Sequence, residues 1–95
     1  MSAADDPIQG LRAELATLDE RLVQAVNRRL ELVFELQRVK AQHGLPFVDP
    51  ERERWLHEHL GRTNRGPLSR EGLQELVTEV LALTKREVGR ASGSG

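Results

Sequence analysis

The feature that most restricts this chain is the stretch from Pro7 to His43, which contains nothing that stops a helix. Asp6 is a good N-cap and Pro7 suits the first helical position. The next proline is Pro46, and Gly44 stands where a helix is commonly terminated by a left-handed glycine. Between these signals Leu11, Leu15, Leu18, Leu22, Val26, Val33 and Leu36 recur at steps of three, four or seven, so they share one stripe of a single long helix. Arg29 and Lys40 fall in the middle of that stripe, where an ordinary amphipathic helix keeps apolar residues.

The length of this helix carries its own consequence. About 37 helical residues make a rod of about 55 Å, whereas a compact monomer of this size has a radius of gyration of about 12 Å. The short remainder of the chain cannot cover such a stripe, which is therefore expected to pack on a second copy of itself. Two cations enclosed in a helical dimer then require an anionic partner, because an isolated buried charge is very costly.

Composition narrows the partner. The chain has 95 residues, enough for one small domain, and its net charge of -1 points to neither a polyanion nor an acidic membrane surface. Aromatic residues make up 3%, which argues against a base-stacking surface for nucleic acid. There is no Cys, which excludes disulfides and thiol chemistry and fits a reducing, cytoplasmic setting. The opening Met-Ser-Ala-Ala-Asp-Asp has neither a basic start nor an apolar centre, so a signal peptide is not expected, and no run approaches a membrane span.

The rest of the chain reads as two further helices, giving an all-α fold. Residues 1–6 are expected to be disordered, 7–88 to form the helical domain and 89–95 a flexible tail. Asp49-Pro50-Glu51 repeats the helix-start pattern of cap, proline and first-turn acid, for a helix of about Pro50 to Arg62. Its apolar residues are Trp55, Leu56 and Leu60, and Arg52 lies one turn before Leu56 on the same side. The plainer reading of Arg52 is an arginine whose stem packs while its head reaches water. Asn64, Gly66 and Pro67 mark a loop, and Ser69 caps a third helix of about Arg70 to Val88. Its face is Leu73, Leu76, Val77, Val80, Leu81, Thr84 and Val88, with Glu87 just inside it. A lone Thr on such a face usually bonds back to its own helix carbonyl. His43, His57 and His59 form no plausible metal cluster, and no phosphate loop or nucleophile elbow is present.

The misplaced polar residues are thus Arg29, Lys40, Arg52, Thr84 and Glu87, with Arg12 and Asp49 at the margins. Arg29 and Lys40 lie three turns apart, about 16 Å along the axis. Their long side chains can converge on one compact dicarboxylate, for which bidentate arginine is a natural clamp. No nucleophile, metal site or cofactor motif accompanies them. A reaction that needs only orientation and charge stabilisation fits, and so does simple anion binding. A structural dimer, with Arg29 and Lys40 paired to acids such as Glu31 and Glu35, fits as well.

The ordered set Leu11-Arg12, Leu18-Asp19, Arg28-Arg29, Lys40 and Asp49-Pro50-Glu51-Arg52-Glu53, followed by Leu76-Val77, Val80-Leu81 and Thr84, resembles the all-helical class of chorismate mutases over about residues 8–88. The resemblance implies an intertwined homodimeric bundle of three helices per chain. Each site would be lined mostly by one protomer and completed by Arg12 of the other. By this match Arg12 and Arg29 hold substrate carboxylates, Lys40 reaches a carboxylate and the ether oxygen, Asp49 and Glu53 bind the ring hydroxyl, and Arg52 completes the pocket. Thr84 stands where the family often has Ser. The family usually has Gln or Glu four residues later to donate to the ether oxygen; here that position is Val88, and Glu87 is its neighbour. The implied reaction, chorismate to prephenate, needs no cofactor.

Two other readings share these residues. The same scaffold serves relatives that act on isochorismate or 4-amino-4-deoxychorismate. Alternatively, the chain is a non-catalytic helical dimer, or a docking or regulatory module for another shikimate-pathway enzyme.

Overall fold

A computed structural model of the chain describes residues 6–93, which form three helices joined by two short connections. Helix α1 is Pro7–Gln42, α2 is Pro50–Thr63 and α3 is Arg70–Gly93. The first two match the expected bounds to within a residue. The third continues through Gly89 to Gly93, where the sequence pattern places the start of a tail. Gly89 and Gly93 lower helix propensity without forbidding the helix. The expectations for residues 1–5, 94 and 95 lie outside the described residues.

The chain divides into two compact units, Met1–Leu32 and Val33–Gly95. In the first, the leucine stripe of α1 is open: Leu11, Leu15, Leu18 and Leu22 are 57–60% exposed. The second unit holds the end of α1, the connection 43–49, α2 and α3. Its hydrophobic centre is small. Among the described residues Val77 and Val88 are the buried apolar ones, and Thr84 is buried between them along α3. Leu73, Val80 and Leu81 are half-buried, and Leu76, expected on the same face, is exposed. Helix α2 packs against α3 and contributes the half-buried Leu56 and Leu60.

The helix ends are built by side chains and turns that the sequence announces. At the end of α1, Leu45 N donates to Lys40 O at 2.8 Å and Gly44 N donates to Ala41 O at 3.2 Å. These paired bonds are those of a Schellman motif, which needs a left-handed residue; Gly44 supplies it at φ 66°. Asp49 caps α2, its Oδ1 accepting from Arg52 N at 3.2 Å, and Pro50 begins the helix. Ser69 caps α3 by accepting from Gly72 N at 3.0 Å. Leu68 folds over that turn so closely that a Cβ on Gly72 would meet Leu68 Cδ1 at 2.9 Å. Among the described residues no helix is long and apolar enough to cross a membrane.

Candidate active site

The second unit gathers most of the polar residues singled out above. Lys40 is half-buried in the last turn of α1. The Schellman turn sends the chain back past this side chain, and Lys40 Nζ donates to Phe47 O at 3.1 Å. A cation at a helix C-terminus also sits favourably in the field of the helix dipole. Two residues beyond Phe47 comes Asp49, so the α1–α2 connection sets the ammonium and the first turn of α2 close together in sequence.

That first turn carries Asp49, Arg52 and Glu53. Asp49 is exposed and occupied at one oxygen by its capping bond. Arg52 lies over the Trp55 ring, with its guanidinium carbon 3.9 Å from the ring centroid. On the next turn the His59 ring stacks on Trp55 at 4.6 Å and 9°. The spacing of these three residues, three and then four apart, lets them form one pile along the helix surface. Trp55 is therefore not a core residue: it is 39% exposed and serves as a platform under Arg52. His57 turns elsewhere, toward an open cleft of about 410 Å³ that also has Arg62 and Arg70 on its walls. That cleft includes none of the expected site residues.

Glu53 is held from α3. Lys85 Nζ lies 3.1 Å from its Oε2 and 3.3 Å from its Oε1. Thr84, one residue before Lys85, is buried, and its Oγ1 donates to Val80 O at 2.7 Å, the local bond that a Thr on an apolar helix face usually makes. Glu87 is half-buried and its carboxylate is ion-paired with Arg90 on the next turn. Within that pair Glu87 accepts hydrogen bonds. Val88 is buried in the small apolar centre.

In the first unit, Arg12 is exposed and Arg29 is half-buried. Glu31, considered above as a partner for Arg29, pairs with Arg28 at 3.0 Å. Sequence reasoning missed Lys85 and the role of Trp55. The Arg52–Trp55 spacing of three was available as a signal. Glu53 and Lys85 lie on different helices, and no spacing announces their meeting.

The fold and these groups define a class: an all-helical chain with cations where apolar packing is expected and carboxylates on an adjoining helix turn, suited to binding a small anion. Residues 11–88 match the family described as chorismate mutase type II. The chain belongs to this family. It is 32% identical over 85 residues to a bifunctional chorismate mutase/prephenate dehydratase of Pseudomonas aeruginosa, a match covering 84% of this chain and 23% of that protein. It is 38% identical over 55 residues to a 4-amino-4-deoxychorismate mutase of Streptomyces venezuelae, covering 58% of this chain and 53% of the relative. A chorismate mutase structure from Thermus thermophilus superposes with a TM-score of 0.81 at 30% identity, covering 83% of this chain and 99% of the other. The chain spans about a quarter of the length of the bifunctional relatives it matches.

Proposed function

We propose that this chain converts chorismate to prephenate. The observation that carries the reading is Lys40: a half-buried ammonium fixed at the end of α1, within a chain of the chorismate mutase family. The rearrangement is intramolecular. It needs the substrate held in a folded diaxial conformer, which is an orientation effect. Breaking of the C–O bond runs ahead of C–C bond formation, so negative charge grows on the ether oxygen. A preorganised cation binds that state better than the ground state.

In this reading Arg12 and Arg29 hold the two substrate carboxylates. Lys40 reaches a carboxylate and the ether oxygen, and Arg52, steadied by Trp55, closes the pocket. Asp49 and Glu53 accept from the ring hydroxyl. Thr84 and Val88 line the α3 side. Glu87 donates to the ether oxygen only if it leaves Arg90 and takes up a proton, so the charge stabilisation falls mainly on Lys40. The exposed leucines of α1 support a homodimer in which a second copy covers the stripe and lends its Arg12. Fully burying a leucine is worth roughly 1.5–3 kcal/mol, so the four most exposed of them are a substantial driving force. The chain works in the cytoplasm, in a setting where the absence of Cys is no handicap, and the bifunctional relatives make a prephenate-consuming enzyme its natural partner.

The test is depletion of chorismate by the purified protein, with Arg29→Ala as control. Turnover well above the uncatalysed background, lost in the control, supports the reading. Chorismate left at its background rate overturns it.

A further inference from the structure

The Glu53–Lys85 pair is used by nothing in the reaction as set out above, yet it bears on the group that is to read the substrate ring. Resting on the reading that Glu53 faces the ring substituent, we infer that Lys85 is a specificity-determining residue, setting a preference for a hydroxyl over an amine at that ring position. Lys85 Nζ lies 3.1 Å and 3.3 Å from the two oxygens of Glu53, so one ammonium spans the whole carboxylate. The pair joins α2 to α3. The Glu53 side chain is 28% exposed against 44% for Lys85, so the carboxylate is the more enclosed partner.

The chemistry follows from charge and lone pairs. A carboxylate has about four acceptor directions, so Glu53 can hold Lys85 and still accept a bond from a neutral hydroxyl. Its charge, however, is offset by the ammonium. A lone carboxylate would favour a cationic substituent by direct attraction; the pair gives up that advantage, and Lys85 adds like-charge repulsion. In 4-amino-4-deoxychorismate an amine replaces the hydroxyl at ring carbon 4, and an aliphatic amine is largely protonated near neutrality. Hydroxyl and ammonium are thus close in size and differ in charge, which is the property Lys85 controls. Specificity here comes from a repulsive element placed against the unwanted substrate.

The experiment compares kcat/KM for chorismate and for 4-amino-4-deoxychorismate in the unaltered protein, Lys85→Met, Lys85→Gln and Lys85→Arg. Loss of the ammonium in either neutral variant is expected to move the ratio toward the amino substrate by about tenfold, equivalent to roughly 1.4 kcal/mol of differential interaction. Lys85→Arg, which keeps the charge, is expected to retain the original ratio. A purely structural bridge would change both substrates alike and leave the ratio where it was. A ratio that stays within about twofold in a neutral variant of unchanged helicity overturns the inference and leaves the chorismate reading intact. If the unaltered protein turns over neither substrate, the chorismate reading itself fails and the inference falls with it.

Discussion

Replacing Lys40 by Met separates the catalytic role proposed for this side chain from its structural part. The substitution keeps an unbranched stem and removes the ammonium. The Schellman turn uses the Lys40 carbonyl, which accepts from Leu45 N at 2.8 Å, so the backbone that ends α1 is untouched. What is lost structurally is the 3.1 Å bond from Nζ to Phe47 O and the favourable charge at a helix C-terminus. A half-exposed hydrogen bond contributes about 1 kcal/mol and the helix-dipole interaction about 0.5 kcal/mol. A stability loss of about 1.5 kcal/mol lowers Tm by about 6–12 °C in a domain of this size. The catalytic loss is larger. Removing a preorganised donor from a developing oxyanion costs about 3–4 kcal/mol, roughly a hundred- to a thousandfold in kcat. Chorismate depletion at 25 °C, with circular dichroism and light scattering on the same samples, measures both parts. If kcat falls less than about tenfold while helicity and mass persist, Lys40 is not the cation at the ether oxygen.

Four further outcomes are expected. Leu18→Glu, on the uncovered stripe, should turn a dimer into monomers by light scattering; an unchanged mass would show that the stripe is not the dimer surface. Gly44→Ala forces a side chain onto a φ of 66° and should destabilise the fold by about 1–2 kcal/mol in urea melts, with no loss expected if the turn can re-form differently. Thr84→Val removes a hydroxyl already bonded to Val80 O and should lower kcat less than about tenfold; a larger loss would mean that the hydroxyl turns to substrate. Because Arg90 pairs with the Glu87 carboxylate, Glu87→Gln should lower kcat less than about tenfold, and a larger loss would place Glu87 in the reaction.

Much of this protein is set by local chemistry that the sequence displays. Asp6, Pro7 and Gly44 fix the ends of α1, and Asp49-Pro50 and Ser69 start α2 and α3, because caps and helix breakers act within a turn of themselves. Arg29 and Lys40 stand out as cations on an apolar stripe, since helical periodicity depends only on residue number. The tertiary structure decided what periodicity cannot reach. It brought Lys85 of α3 onto Glu53 of α2, and left Trp55 outside the apolar centre. It also buried Val88 in the apolar centre, beside Glu87 in its local pair with Arg90 three residues on. The end of α3 departs from the sequence pattern for a related reason: glycine shifts a helix–coil balance by only about 1 kcal/mol, and the structure carries the helix through both glycines. Pairing between helices depends on how two surfaces meet in space, and one-dimensional spacing holds no record of that meeting.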